Sequence, residues 1–299
     1  MSVVVGYRTG EVGLSGLHLG IDLARTLHTS LTVVTIVPQP WPTPSLARID
    51  AEYEQWADQL AADSAAEARG RLDGLADGID VTYQKRAHRS VSAGLIELAT
   101  ELEAQVLVLG SVPHLGVFGG PTTCGGVLIG STADRLLHSA PMPLAISPHG
   151  YRSRTGAMSR ITCGYSATAE GADVVRRCVK FAREYAVPVR VVTFAVRGRT
   201  MYPSEVGLHS ETTVLEVWAA QAREMLEKLR TEDVVDADVA LDVVTGNGWK
   251  QALASANWTD GEILALGTSP RGKIARVFLG SHSGKIVRHS PVPVLVLPG

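Results

Sequence analysis

The same short sequence motifs occur twice in this chain of 299 residues, in the same order in both halves. Each half contains an apolar run followed by Gly-Tyr, a second apolar run that ends in Gly, a later Gly-Ser pair, and His-Ser followed by Pro-x-Pro. The paired glycines are Gly6 and Gly164, Gly110 and Gly267, and Gly130 and Gly280, which lie 158, 157 and 150 residues apart. Four ordered matches predict a duplicated unit of about 150 residues, a common domain size. The drop from 157 to 150 places seven extra residues in the first copy, in the loop 111–129.

Short apolar runs alternate with helical patterns inside each copy. In the first copy the predicted strands are Val3–Gly6, Leu31–Val37, Val81–Lys85, Val106–Gly110 and Pro143–Ser147. A helix between the first two strands is predicted from apolar spacings of three and four residues at Leu14, Leu17, Ile21, Ala24 and His28. Nearly continuous apolar strands are typical of a parallel sheet that is covered on both faces. The sequence therefore predicts an α/β fold, with two tandem open parallel-sheet domains of the Rossmann-like kind and helices on both faces.

A second, longer helix is predicted in each copy from a similar apolar stripe. The stripe positions are Leu46, Ile49, Tyr53, Trp56 and Leu60 in the first copy, and Val214, Trp218, Ala222, Met225 and Leu229 in the second. Trp56 and Trp218 occupy corresponding positions, so we expect both in the core. The stretch His149–Ser159 is rich in Arg, Ser and Gly without periodicity, and it is the expected linker between domains at 1–148 and 160–299.

Charge and hydropathy exclude several classes of partner. The chain has 28 Lys and Arg against 30 Asp and Glu, a formal net charge of −2, so no nucleic-acid partner is expected. No apolar run approaches the roughly 18 residues of a membrane helix, and residues 1–10 lack a signal-peptide pattern. We therefore expect no membrane association and a cytoplasmic location.

The residue patterns of common catalytic and metal sites are not found in the sequence. The three cysteines form no Cys-x-x-Cys pair, which argues against both a disulfide framework and a zinc site, and the nine histidines show no metal-ligand spacing. Cys163 and Cys178 fall in a predicted strand and helix stripe and should be buried and inert, whereas Cys124 is the candidate for an exposed thiol. Ser15 is not in a nucleophile elbow. The sequence thus predicts no catalytic residue.

The best candidate for a binding site lies in the second copy. A predicted strand at Ile263–Leu266 is followed by the loop 267–279 and then by Gly280-Ser281 at the start of a helix. Parallel sheets bind ligands beyond the carboxyl ends of their strands, where free backbone N–H groups at a helix start can hold an anion. The same pattern also fits a Ser281 that only caps its helix, and the sequence leaves both interpretations open.

Over its whole length the chain resembles a tandem universal stress protein, with two such domains fused. The family pattern has a first strand that ends in Gly-hydrophobic-Asp and a late signature of Gly, two residues, Gly, nine residues and Gly-Ser/Thr. In the second copy Gly267, Pro270 and Gly280-Ser281 reproduce the spacing of that signature, and the ending RHSPVPVLVLP resembles the family's terminal helix and strand.

The resemblance implies an adenine nucleotide, ATP with Mg²⁺, as the ligand of the second copy. Carried over position by position, it places Gly267, Gly272, Gly280, Ser281 and His282 at the phosphates. It also places the Phe194 backbone near the base, Gly246 on the neighbouring loop, and Ser166 at the position of the nucleoside-binding Asp. The resemblance to family dimers also implies that the two domains form a pseudo-dimer, with strands Pro143–Ser147 and Val292–Leu297 side by side. Whether two chains form a further homodimer is left open by the sequence.

Three departures from the family pattern lead to an expectation of weak, asymmetric binding. The Asp position holds Arg8 in the first copy and Ser166 in the second, and the second glycine is Pro113 or Pro270, which has no N–H to donate. The first copy also carries the insertion. The second copy adds positive charge around its loop through Arg271, Lys273 and Arg276. The expected function is a stress-response regulatory protein with a weak nucleotide site in the second domain. The alternatives are an interaction module with a degenerate site and, less favoured, a slow ATPase.

Overall fold

The computed structural model of the chain describes residues 2–10, 13–39, 48–111, 130–166, 169–197, 208–270, 277–278 and 281–298. Two compact units are present, which we call the first unit, Met1–Ala157, and the second unit, Met158–Leu297. None of the helices within the described ranges combines the length and the apolar character that a membrane span requires.

The first unit is a five-stranded parallel sheet with four helices in its described part. Its elements are β1 (Ser2–Gly6), α1 (Leu14–Thr26), β2 (Ser30–Pro38), α2 (Arg48–Leu72), β3 (Val81–His88), α3 (Val91–Glu101), β4 (Val106–Gly110), α4 (Ser131–Leu137) and β5 (Leu144–Ser147). The strands lie in the order β3-β2-β1-β4-β5, and all neighbouring pairs are parallel. β3 continues past the predicted end at Lys85, because its pairing with β2 extends to the pair Pro38 and His88.

The second unit has the same strand order. Its elements are β6 (Arg160–Gly164), α5 (Ala169–Glu184), β7 (Val189–Arg197), α6 (Leu208–Thr231), β8 (Ala240–Asn247), α7 (Trp249–Ala254), β9 (Glu262–Gly267), β10 (Ser269–Pro270), β11 (Val277–Phe278), α8 (Ser281–His289) and β12 (Val294–Leu297). Its parallel sheet has the order β8-β7-β6-β9-β12. The sequence predicted a single loop at 267–279, but β10 and β11 form a short antiparallel ladder there. The predicted α/β fold is confirmed.

The central strands are buried on both faces. Val3, Val4 and Val5 of β1 are all fully buried, although successive side chains of a strand point to opposite faces. In the first unit α1 packs beside α2, and α3 packs beside α4. The apolar residues of both faces are therefore covered by helices, as the continuous apolar runs predicted. Cys163 and Cys178 are also buried, as expected, and Cys124 lies outside the described residues.

The predicted buried stripe of the long helices was wrong in two places. Trp56 is 47% exposed and Met225 is 37% exposed, while Trp218 is half-buried. The buried positions are Ala57, Ser64, Ala68 and Leu72 on α2, and Ala219, Leu226 and Leu229 on α6. The inward positions on α2 are mostly small, and the large Trp56 ring instead packs against Tyr53 at a centroid distance of 5.7 Å. Leu46 lies outside the described residues, and Ile49 and Val214 lie where the structure does not describe side chains. Similarly, His28 was predicted on the α1 stripe but lies beyond the end of α1, with a φ of +50°.

The predicted linker is hydrogen-bonded to α1 of the first unit at three residues between 150 and 156. The bonds are Gly150 N to Ser15 Oγ at 2.9 Å, Tyr151 Oη to Asp22 Oδ2 at 2.9 Å, and Arg25 to the Gly156 carbonyl at 3.1 Å. These three α1 residues lie seven and three positions apart, which places them along one side of the helix. Residues 150–156 are thus a fixed part of the first unit.

Candidate functional site

Four of the eight predicted site residues lie at the carboxyl edge of the second sheet. Gly164 at the end of β6 pairs with Val192, so Ser166 and Phe194 lie at one level just beyond it. On the outer strand Gly246 pairs with Val196, and on the other side Gly267 ends β9. Of the other four, Gly272 and Gly280 lie outside the described residues. Ser281 and His282 are the first two residues of α8, but the structure does not describe their side chains. Arg271, Lys273 and Arg276 are likewise outside.

The start of α5 lies tightly against this edge. A Cβ atom on Gly267 would be 2.0 Å from Cγ2 of Val174, and a Cβ atom on Gly171 would be 2.2 Å from the Ser166 carbonyl oxygen. A side chain at either position would force its neighbour to move, so the packing of α5 by itself favours glycine at both. Gly267 therefore has a structural reason to be glycine that does not depend on a phosphate.

The turn between β8 and α7 is equally compact. A Cβ atom on Gly246 would be 2.5 Å from the backbone nitrogen of Ala252 in α7. The next residue, Asn247, donates its N–H to Gln251 Oε1 at 2.8 Å, and Gly248 has a φ of +88°, which favours glycine. These contacts fix the direction in which α7 leaves the sheet.

Phe194 and Trp249 form an aromatic pair that the sequence reasoning missed. Their ring centroids are 6.0 Å apart with the planes inclined by 58°, and both side chains are half-buried. Phe194 packs on the apolar cluster of Val192, Val244, Ala252 and Ala256, which anchors one member of the pair in the core. The sequence analysis placed only the Phe194 backbone at the site. The signal that could have identified the second ring is the position of Trp249, two residues after the end of β8.

Positive side chains lie near the start of α7 and the end of α8. Burial lowers the pKa of His289, and the nearby charges of Lys250 and Arg288 lower it further. A histidine with a lowered pKa is neutral near pH 7, so the local positive charge comes from Lys250 and Arg288. Lys250 lies just after the carboxyl end of β8, where its charge favours an anionic ligand, whereas Arg288 lies near the end of α8, shortly before β12 begins at the opposite edge of the sheet.

The corresponding edge of the first unit is already occupied by a side chain of its own. Glu67 on α2 accepts hydrogen bonds from the Thr9 hydroxyl and, at 3.0 Å, from the Gly10 N–H. The bond from Thr9 is the largest cause of the lowered pKa of Glu67, which keeps the carboxylate ionised. Burial, with a smaller effect of Glu67, raises the pKa of Tyr7 to about 12. Arg8, at the position of the family's Asp, is exposed and directly precedes the two residues that Glu67 holds.

A buried ionic cluster lies at the opposite, amino edge of the second sheet. Glu262, the first residue of β9, is 1% exposed and pairs with Arg190 at 2.9 Å and with Arg160 at 2.6 Å. It also accepts hydrogen bonds from Thr162 and from the Thr259 N–H. Burial by itself raises the pKa of Glu262, but the bonds from Arg160, Thr162 and Thr259 and the charge of Arg190 outweigh it and leave the pKa lowered. Each charged group of the cluster faces an opposite charge, although the Arg160 Nε atom has no hydrogen-bond partner, and we interpret the cluster as structural.

Each unit is a parallel sheet packed with helices, and a glycine-rich segment follows the fourth strand of the second sheet. These features define the class as an α/β protein with two open parallel-sheet units. The sequence model of the universal stress protein family matches residues 1–148 and 158–298, and the chain belongs to that family. It is 66% identical, over the full length of both chains, to universal stress proteins of Mycobacterium tuberculosis and Mycobacterium bovis.

Solved structures of the family share the fold along the whole chain. A universal stress protein from Archaeoglobus fulgidus matches with a TM-score of 0.61 at 16% identity, covering 99% of this chain and 98% of that one. A putative universal stress protein from Pseudomonas aeruginosa matches with a TM-score of 0.56 at 15% identity, covering 99% and 92%. At such identities the likeness concerns the fold alone.

Proposed function

We propose that this protein is a stress-response regulatory protein that binds an adenine nucleotide, ATP with Mg²⁺, at the carboxyl edge of its second unit. The observation that carries the proposal is the glycine pattern from Gly267 to Gly280-Ser281, which leaves the sheet at the edge where Ser166 and Phe194 lie. In this proposal Gly267, Gly272, Gly280, Ser281 and His282 surround the phosphates. The nucleoside lies against Ser166, Phe194 and Gly246.

The proposed site is weak because two expected contacts are missing from the sequence. Ser166 is shorter than Asp and carries no charge, so it replaces a charge-assisted hydrogen bond worth about 1.5–3 kcal/mol with a weaker one. Losing that bond lowers affinity roughly 10- to 150-fold, at about 1.4 kcal/mol per tenfold. Pro270 offers no N–H to a phosphate. Lys250 and the positive residues of the loop, Arg271, Lys273 and Arg276, attract the phosphates by charge. Salt weakens this attraction, because charges are screened over about 8–10 Å at physiological ionic strength.

The first unit is unsuited to the same ligand for a physical reason. Its loop after β1 already uses the Thr9 hydroxyl and the Gly10 N–H to hold the Glu67 carboxylate. An ionised carboxylate at this position takes donors that a ligand anion needs, and it repels phosphate charge. We therefore propose one nucleotide for the whole chain, bound by the second unit.

Isothermal titration of the full chain with MgATP tests the proposal. The expected result is one binding site whose affinity falls as salt is raised. Gly280→Val should abolish binding, because a branched side chain fills the space in which the backbone meets a phosphate. The matched control is Gly130→Val at the corresponding glycine of the first unit, which should leave the titration unchanged. A stoichiometry of two, or no heat at all from the parent chain, contradicts the proposal.

The alternative is an interaction module that binds no nucleotide. Val174 favours it, since its side chain covers Gly267 at the end of β9 and hinders a close approach to that backbone. Under this alternative the parent chain and both glycine variants show no binding of ATP. The same titration therefore separates the two functions.

A further inference from the structure

We infer that Trp249, supported by Phe194, stacks on the base of the nucleotide and is a base-binding residue of the second unit; this rests on the proposed function. The two rings are in contact at a centroid distance of 6.0 Å, and each leaves part of its surface exposed. Phe194 lies at the level of Ser166, where the proposed nucleoside lies. An aromatic face at this place is suited to a flat, uncharged base.

The backbone at the start of α7 is fixed by its own contacts, and the Trp249 ring is packed against Phe194 before any ligand arrives. Gly248 turns the chain with a φ of +88°, and Asn247 is bonded to Gln251 one turn into α7. Gly246 fits under the backbone of Ala252 with no room for a side chain. A ring that is already ordered loses little conformational entropy on binding, so stacking on it is more favourable.

The first unit lacks this feature at the corresponding positions. At the repeat offset of 158 residues, Phe194 corresponds to Ile36 and Trp249 to Val91, the first residue of α3. Ile36 is 8% exposed and Val91 is 46% exposed, and neither carries a ring. The aromatic pair therefore distinguishes the unit that we propose to bind the nucleotide from the one that we do not.

Stacking on Trp249 contributes affinity but discriminates little between bases. Every base has a π-face, so an aromatic platform tolerates different bases and distinguishes them only modestly, through the strength of stacking. Stacking alone is therefore expected to favour purine nucleotides over CTP without choosing between ATP and GTP, so a preference for adenine has to come from the other contacts of the proposed site. Binding of any of these nucleotides should bring the base against the Trp249 indole and quench its fluorescence.

The test uses MgATP with the full chain and two variants of Trp249. Trp249→Leu keeps an apolar side chain but removes the ring, and it should weaken ATP binding about 5- to 150-fold. Trp249→Phe keeps a ring, and it should retain most of the affinity while losing the fluorescence quench. The matched control is Trp56→Leu, which removes an exposed tryptophan that also contacts a second ring, Tyr53. It should leave both affinity and quench unchanged.

The outcomes separate this inference from the function on which it rests. If the parent binds MgATP but Trp249→Leu binds it equally well, Trp249 does not stack on the base, and nucleotide binding stands. If Trp249→Leu melts well below the parent, its loss of binding is uninformative and Trp249→Phe becomes the test. If Trp249→Phe binds MgATP and still shows the fluorescence quench, the inference is overturned. If the parent does not bind MgATP in the titration, the proposed function fails, and the inference fails with it.

Discussion

Val174 on α5 lies directly over Gly267, so that a Cβ atom on Gly267 would be 2.0 Å from Val174 Cγ2. In the first unit the corresponding residues are both glycines, and a Cβ atom on Gly16 would be 2.7 Å from the Gly110 nitrogen. The same helix-on-strand contact is thus made by two glycines in one unit and by a glycine and a valine in the other. A glycine of the family signature is here part of the core packing as well as of a proposed ligand site.

Gly267→Ala should destabilise the second unit through this contact. Overpacking of a tight core typically costs about 1–3 kcal/mol in the free energy of unfolding. Because Val174→Ala removes both Cγ atoms, the double variant should be less destabilised than the sum of the two single variants, with a coupling of about 0.5–3 kcal/mol. Urea denaturation followed by circular dichroism measures all four proteins. Strict additivity would show that the two residues do not clash.

A control for the glycine substitution is available on α2. A Cβ atom on Gly70 would have no neighbouring atom within 4 Å. Gly70→Ala should therefore be neutral or stabilising by up to about 1 kcal/mol, because alanine favours a helix over glycine. A loss of stability there comparable to that of Gly267→Ala would point to a general sensitivity to the substitution.

Glu262→Ala should be among the most destabilising substitutions in the second unit. It leaves Arg190, which is 4% exposed, without its buried partner, and breaking a buried pair in this way costs about 3–5 kcal/mol. The comparison is Arg183→Ala, which removes an exposed ion pair with Asp236 and should change stability by no more than about 1 kcal/mol. Similar losses in the two variants would contradict the structural role of the buried cluster.

The pH dependence of the same residue gives a separate prediction. Because the pKa of Glu262 is lowered in the folded protein, its contribution to stability is complete above the ordinary value of 4.5 and is lost as pH falls through the lowered pKa. The difference in unfolding free energy between the parent and Glu262→Gln should thus be constant at neutral pH and shrink in acid. Denaturation curves from pH 7 down to pH 3 measure it. A difference that grows in acid would reverse the assigned direction.

Glu67→Ala should release the loop after β1. The Gly10 N–H loses its acceptor, so its amide should exchange with solvent faster than in the parent. Hydrogen exchange of the segment around residues 2–10 measures the change. The control is Glu101→Ala at the end of α3, which removes the exposed ion-pair partner of Arg86 on β3. It should leave the exchange rate of Gly10 unchanged. Equal protection of Gly10 in the parent and Glu67→Ala would mean that another contact holds the loop.

Ser166→Asp combined with Pro270→Gly should strengthen binding of MgATP by the full chain. The carboxylate restores a charge-assisted bond to the nucleoside, and the glycine restores an N–H for a phosphate. The expected gain from the carboxylate is roughly 10- to 150-fold in affinity. Arg8→Asp with Pro113→Gly makes the matched changes in the first unit and should give a smaller gain, because Glu67 still occupies the loop there. If the first pair of changes brings no gain, the second unit does not hold a weakened nucleotide site, and the interaction module takes its place.

The strands were easier to predict than the faces of the long helices. Buried parallel strands are apolar at every position, so runs such as Val106–Gly110 mark their own location. On α2 the apolar stripe was misplaced at Trp56, because the inward positions are largely small residues such as Ala57 and Ala68. On α6 it was misplaced at Met225, where the neighbouring Leu226 takes the buried position instead. Size decides which residue fits between helix and sheet, and periodicity of hydrophobicity does not report size.

The sequence by itself determined the repeat, the alternation of strands and helices, and the family. These follow from local periodicity and from motif spacing, which are properties of the chain read in one dimension. Only the tertiary structure decided that Trp249 meets Phe194, that Glu67 occupies the loop at Gly10, and that Val174 covers Gly267. Each of these contacts joins residues on different elements, separated by 55, 57 and 93 positions. Such partners are chosen by how helices pack on the sheet, which the spacing of residues along the chain does not encode.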